Sequence, residues 1–411
     1  MPKTFQIKRF SNIGLLRRLD FEVLTRFLTP YSHFLDGKSE FRWTTDREDF
    51  SFENLSKAML SLDSNTPDDF LKSLYFLDWF SDDLYFDPML QIAKDKVPSV
   101  PDNVTLEDLA LTLWLECPDS MEQLHAEIHR HDKKGRAKRF ESFFTAYAEP
   151  LSLNIPDENT IKAMQNELEF WAYTHKRGKG VRVFVSPEKP ENDAVWIMIR
   201  HGQPMKRENT IEPNGEGGLT FYRPEKFDSL IYYGATGELA ICAKTKGEQT
   251  AYSMCLGKHC FGDEKYFDLQ GLSKYTFRPL LCEGCAALFC GDVPGIQNIT
   301  LHETHIDYGA GSDLDIEIRR SRDVFEALAN QGRKLDEFPY GRIVKAKFRV
   351  QFSDDRIRTM TIELPNIAHY DRETDHELLN AWLVKRGFIQ RHKINEEVSY
   401  ATNPEQVLVY A

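Results

Sequence analysis

The sequence predicts an α+β protein with a helical N-terminal region, a central antiparallel β-meander domain and a C-terminal ferredoxin-like (βαββαβ) domain. Three observations carry this. Apolar residues recur at helical spacing through residues 1–170. From about residue 181 the pattern changes to short β-branched and aromatic runs bounded by turn residues. The C-terminal part then alternates strand-like and helix-like segments. The expected domains are residues 1–175, 176–298 and 299–411.

In the first region, "NIGLLRRLDFEVLTRFLTPYSHFLDG" places Ile13, Leu16, Leu19, Leu24, Phe27 and Leu28 on helical faces, with breaks near Pro30 and Gly37. "TPDDFLKSLYFLDWFSDDLYFD" follows, with Thr66 as expected N-cap, Pro67 at the first helical position and Asp68 and Asp69 in the first turn. Thr105 and Asp108 form a capping box with a shorter acid, and Pro118 interrupts that helix. "PDENTIKAMQNELEFWAYTH" closes the helical set. The rings of Tyr75, Phe76, Trp79, Phe80, Tyr85 and Phe86 are interleaved with Asp78, Asp82, Asp83 and Asp87, which repel phosphate; helix core or a partner surface is the expectation.

Centrally, "VRVFVS", "AVWIMIR", "LTFYRP", "FDSLIYY" and "GELAICAK" read as a meander, followed by a helix over "GEQTAYSMCLGKHCF" that ends at Gly262. At the C-terminus, "DLDIEIRRS", "RIVKAKFRVQF" and "RIRTMTIELP" read as strands, and "RDVFEALANQG" and "RETDHELLNAWLVKRG" as helices. "EVSYA" or "EQVLVYA" would close the ferredoxin-like order.

Composition narrows the function classes. Lys and Arg total 52 against 64 Asp and Glu, a formal charge of −12, which argues against general nucleic-acid binding by the whole surface but leaves room for a local patch. No run of about 18 apolar residues exists, so no membrane span is expected. The N-terminus lacks an apolar signal core, and seven cysteines do not form an even disulfide framework; the expected location is the cytoplasm.

The opening "FSNIGLLRRLDFEVLTRFL", the turn "THKRGKGVRVF" and the pair "FDSLIYYGATGELAI" resemble a family of uncharacterised bacterial proteins of similar length. That resemblance implies a bacterial, cytoplasmic protein and brings no activity or catalytic residue with it. It does not extend to the cysteines.

Two chemical motifs need weighing. Cys255 and Cys260, then Cys282 and Cys285, have spacing that suits a zinc ribbon. On a helix, however, Cys255 and Cys260 diverge by about 140°, and Cys255 pairs better with His259. Cysteine is also a small hydrophobe, so packed sulfurs and no metal or other cofactor are the expectation. "FDSLIYYGATGELAICAKTK" suggests the PD-(D/E)xK nuclease layout through Asp228 and Lys244, but Cys242 stands where the second carboxylate belongs. "LHETH" is not the H-E-x-x-H zinc motif, and phosphate-loop, dinucleotide and nucleophile-elbow motifs are absent.

Basic runs stand out against the acidic background. Lys133, Lys134, Arg136, Lys138 and Arg139 form one; Lys176, Arg177, Lys179 and Arg182 form another around Gly178 and Gly180. Arg200, Lys206 and Arg207 add a third. The expected function is non-catalytic binding of a protein partner, a nucleic acid or both through the first two runs, with no membrane. An accessory role in a defence or mobile-element system is the context envisaged. The alternative is an enzyme: a divergent metal-dependent nuclease around Asp228 and Lys244, or a zinc protein around Cys255 and Cys282.

Overall fold

The computed structural model describes residues 11–390 apart from 62–65, 99, 102, 132–137, 148, 188–193, 212–214, 269–272, 310–314 and 336–340. It is an α+β protein that divides into two compact units, residues 1–129 and 130–411. No helix of the described residues is long and apolar enough to cross a membrane.

The first unit is helical: α1 (Ile13–Arg18), α2 (Phe21–Leu28), α3 (Ser32–Leu35), α4 (Phe52–Leu60), α5 (Asp68–Phe80), α6 (Phe86–Lys96), α7 (Leu106–Glu116) and α8 (Pro118–His131), the last running to the border. Caps follow side-chain chemistry. Asp20 caps α2 through Glu22 and Val23 N–H groups, and Thr105 caps α7 while its hydroxyl donates to Asp108 at 2.7 Å. Pro67, rather than Thr66, occupies the N-cap position of α5; Thr66 is buried instead. The aromatic run is core, as expected: Phe76, Trp79 and Phe80 are buried, and all three rings pack around His125.

The second unit is organised by one large antiparallel sheet. In chain order its elements are β1 (Lys138–Thr145), α9 (Glu158–Thr174), β2 (Arg182–Pro187), β3 (Ala194–Gly202), β4 (Lys206–Ile211), β5 (Gly217–Tyr222), β6 (Glu225–Tyr233), β7 (Glu238–Cys242) and α10 (Lys246–Phe261). There follow β8 (Phe267–Asp268), α11 (Arg278–Cys282), β9 (Ile296–Asp307), β10 (Ile316–Arg320), α12 (Val324–Ala329), β11 (Arg342–Phe352), β12 (Ile357–Glu363), β13 (Ile367–Tyr370) and α13 (His376–Lys385). The sheet runs β10-β9-β11-β12-β13-β1-β7-β6-β3-β2, with β8 also on β1; β4 and β5 pair only with each other.

The C-terminal segment departs from the expected ferredoxin-like order. That order would seat the strand of residues 316–320 between the one at 357–363 and a closing strand. Instead the twelve-residue β9 takes the place beside β11, β10 is left at the sheet edge, and β12 continues through β13 into β1. The closing segments, residues 397–401 and 405–411, lie outside the described residues. β9 also crosses the expected border at residue 298, and β1 and α9, read as part of the helical region, belong to the sheet unit.

Alternation explains the packing. Val195, Ile197 and Ile199 of β3, Leu230 and Tyr232 of β6, and Leu239 and Ile241 of β7 face Met164 and Leu168 of α9 and Tyr252 and Leu256 of α10. In the other half, Leu301, Phe348, Val350 and Met360 pack on Leu379, Trp382 and Leu383 of α13. At the junction, Glu238 accepts from Lys274 at 2.5 Å and 2.7 Å and from Ser142 at 2.6 Å. Burial pushes the Glu238 carboxyl up, but Lys274 and Arg372 override it and hold it at about 2.

Trp382 is fully buried, stacks on Phe388 at 5.0 Å and donates its indole N–H to the Phe289 carbonyl at 3.0 Å. Trp382→Ala is expected to cost about 3–5 kcal/mol in denaturant titration, through the cavity and the orphaned carbonyl.

Candidate nucleic-acid interface

The site begins with the start of α10. Thr245 and Glu248 form a capping box: the Glu248 N–H donates to the Thr245 hydroxyl at 3.2 Å, and Glu248 Oε2 accepts from the Thr245 N–H at 2.8 Å. The same Oε2 accepts from the Lys244 N–H at 2.9 Å. Glu248 is wholly buried, and its other oxygen meets the Arg177 guanidinium at 2.9 Å and the Lys226 ammonium at 3.5 Å.

Next to it lies Asp228 on β6. Its Oδ2 accepts from the Tyr252 hydroxyl at 2.8 Å and faces His201 Nε2 at 2.9 Å, while Oδ1 lies 2.7 Å from Lys226 Nζ. Burial raises the Asp228 carboxyl, but the His201 hydrogen bond and Lys226 outweigh it and hold it below the usual carboxylate range. Burial, and then Asp228, push the Tyr252 phenol far above its ordinary value, so it acts here as a donor.

His201 Nδ1 lies 2.8 Å from the Gly202 carbonyl, which can only accept. Both ring nitrogens of His201 thus have oxygen partners. The cluster sets two cations, Arg177 and Lys226, against two carboxylates, Asp228 and Glu248, with His201 beside Asp228. It is a buried, charge-paired foundation.

That foundation holds the loop between α9 and β2. Lys176, Gly178 and Gly180 all have left-handed φ, at 61°, 83° and 90°. Arg177 N–H donates to the Ala172 carbonyl at 2.8 Å, and Gly180 N–H donates to Glu169 at 2.7 Å. Arg223 donates to the Lys176 carbonyl and lies against Gly178, where a Cβ would sit 2.9 Å from its Cδ. A Cβ on Gly202 would sit 2.4 Å from the Arg177 carbonyl oxygen. Lys176 and Lys179 are left exposed, Lys179 Nζ lying 5.8 Å from the Tyr173 ring centroid.

The third component is a ribbon. β3 and β6 pair down to Gly202 and Glu225, then the chain bends and β4 pairs with β5 alone. Every residue of β4 and β5 except Thr210 and Gly218 is exposed. Arg207 stands opposite Phe221, Lys206 opposite Tyr222, and Asn209 opposite Leu219. At the root, Arg182 of β2 stands directly opposite Arg200 of β3, whose guanidinium lies 3.6 Å from Glu225.

The expected anion-binding residues separate as follows. Lys133, Lys134 and Arg136 lie outside the described residues. Lys138 and Arg139 sit on β1, with Lys138 Nζ 3.1 Å from the Ser229 hydroxyl and Arg139 3.7 Å from Glu363. β1 is four strands from β2, about 19 Å at ~4.8 Å per strand. Lys176, Lys179 and Arg182 join Lys206, Arg207 and Arg223 around the ribbon root, whereas Arg200, 11% exposed, pairs with Glu225. Arg177 is a correction: only 12% exposed and spent on Glu248, it positions the loop rather than meeting a ligand. Sequence reading passed over His201, Lys226, Glu248 and Tyr252, although the Thr245-x-x-Glu248 capping signature marks Glu248.

The cysteines pack. Cys255 lies under α9, its thiol 3.8 Å from the Met164 carbonyl, and Cys260 approaches the Met164 sulfur at 3.9 Å. Burial pushes the Cys255 thiol well above its ordinary value and Cys260 up to about 11. Cys282 and Cys285 are exposed on α11 and the turn after it. Among the described residues, the potential ligand trios are Glu167–Cys255–His259 and His201–Asp228–Glu248; neither contains Cys282 or Cys285. In the first, His259 Nε2 is 2.9 Å from Glu167, which also pairs with Lys258 at 2.8 Å. In the second, Lys226 already supplies the cation. Lys244 is exposed and contributes only its backbone N–H to Glu248, so the nuclease layout is not assembled from Asp228 and Lys244.

No known protein family matches this chain, and no curated protein does either.

Glu248→Gln is expected to lower stability by about 3–5 kcal/mol in urea denaturation, because it strips the charge partner from buried Arg177. The Asp228 carboxyl is depressed in the fold, so its contribution is full above the unfolded value of about 4 and is lost as pH falls through the folded value. Stability measured from pH 6 downward should fall less steeply in Asp228→Asn than in the parent.

Proposed function

We propose that the protein binds nucleic acid, without catalysing a reaction on it, through the ribbon of β4 and β5 and the loop of residues 175–181. The observation that carries this reading is the meeting of two separate basic runs at the root of an exposed ribbon, through Arg223 on the Lys176 carbonyl and Gly202 against Arg177. Six cations, Lys176, Lys179, Arg182, Lys206, Arg207 and Arg223, then share one end of the sheet, where Arg200, 11% exposed, pairs with Glu225 at 3.6 Å.

A net charge of −12 is compatible with this, because a phosphate responds to charges within a Debye length of about 8–10 Å. A two-stranded ribbon also has the dimensions to follow a groove or a strand of nucleic acid.

A second reading, metal-dependent phosphodiester cleavage, has one observation in its favour: ligand atoms of His201, Asp228 and Glu248 lie within 4.8 Å of one another. Against it, Lys226 stands between the carboxylates, and both His201 nitrogens already have oxygen partners in Asp228 and the Gly202 carbonyl.

Fluorescence anisotropy with a labelled oligonucleotide separates these readings. Binding should weaken steeply with salt, and the triple change Lys179→Ala, Arg207→Ala, Arg223→Ala should reduce the salt slope by about 2–3. The oligonucleotide should be recovered intact after incubation with magnesium or manganese. Salt-independent binding, or none, would remove the proposal. Metal-dependent cleavage lost in Asp228→Asn would replace it with the second reading.

A further inference from the structure

Resting on the nucleic-acid reading above, we infer that the ligand is single-stranded and that exposed aromatic rings beside the cations take its bases by stacking. Four large rings lie open at this end of the unit: Phe170 is 72% exposed, Tyr173 60%, Phe221 60% and Tyr222 38%. Elsewhere in the sheet unit Trp196, Tyr232, Tyr266, Phe348 and Trp382 are buried, while Tyr147 at 49% and Phe289 at 57% are also exposed. The four rings above are set apart by their place on α9 and the ribbon, beside the cations.

The rings are placed with the cations. Phe170 and Tyr173 stand three residues apart on α9 and so share its outer face, whereas Trp171 stacks on His175 at 4.3 Å. Lys179 Nζ lies 5.8 Å from the Tyr173 ring centroid. The loop then passes from Lys179 to Gly178, which lies against Arg223, and Arg223 follows Tyr222 in the chain. Across the ribbon, Arg207 faces Phe221 and Lys206 faces Tyr222. Rings and cations thus lie together on the end of α9, the loop and both faces of the ribbon, Phe221 with Arg207 on one face and Tyr222 with Lys206 on the other.

Rings and cations set side by side in this way match an unpaired strand. A charged track follows the phosphates, and the rings offer flat faces to successive bases regardless of sequence. In a duplex those base faces are covered by their neighbours, and only edges are offered to a protein. Edge reading calls for polar side chains pointing out of the ribbon. The ribbon face carrying Arg207 and Asn209 instead carries Ile211, Leu219 and Phe221, with exposures of 78%, 49% and 60%. Apolar and aromatic groups of this kind gain from stacking and little from base edges.

The test compares a labelled oligothymidylate of about 20 nucleotides with a mixed-sequence duplex of the same length, so that at least one full site is offered. The full chain should bind the single strand more tightly. Phe221→Ala and Tyr173→Ala should each weaken that binding about tenfold with the salt slope unchanged, and Tyr173→Phe should retain it. Both positions are exposed, and an unaltered melting temperature certifies the fold. If the duplex binds as tightly as the single strand, or the alanine variants bind oligothymidylate like the parent, the inference is overturned while nucleic-acid binding stands. If neither oligonucleotide binds, the proposed function fails and the inference fails with it.

Discussion

The contact on which this part of the molecule depends is the ion pair between Glu248 and Arg177. One carboxylate has two tasks. Its Oε2 finishes the start of α10 by accepting backbone N–H groups, and its Oε1 draws the Arg177 guanidinium out of solvent. A buried carboxylate left unpaired is costly, so the helix start and the loop become a single cooperative element. The consequence is geometric. With Arg177 turned inward, its neighbours Lys176 and Lys179 turn outward, and the Lys176 carbonyl is presented to Arg223 at the ribbon root.

The same cluster shows how a carboxylate pair can be filled from within. Asp228 and Glu248 come close enough to hold a divalent ion with His201. Lys226 reaches both at 2.7 Å and 3.5 Å, and a single chain thus supplies the positive charge that a metal would bring. With Arg177 added, two cations face the two carboxylates, and the foundation is charge-paired from within.

Much of the scaffold was legible in the sequence because it rests on local rules. Period-two runs located β2, β3, β5, β6 and β7, and Gly262, with φ of 76°, ended α10 where expected. β4 escaped notice because "KRENTI" buries no side chain and so lacks alternation. β1 escaped for the opposite reason: its cations Lys138 and Arg139 masked a run whose later residues, from Phe140 to Phe143, are all buried. The C-terminal order failed on a non-local choice, since nothing in β9 or β10 states which strand will take the place beside β11. The candidate site was half legible. The two basic runs were visible, but their convergence depends on Glu248, His201 and Asp228, which come from distant points of the chain and meet only through strand register.

Hydrogen–deuterium exchange with and without a saturating single-stranded oligonucleotide tests the central claim most directly. Bound strand should slow exchange in residues 173–182 and 203–223 while leaving the amides of β9 to β12 unchanged. Slowing confined to other segments, with these two unaffected, would contradict it.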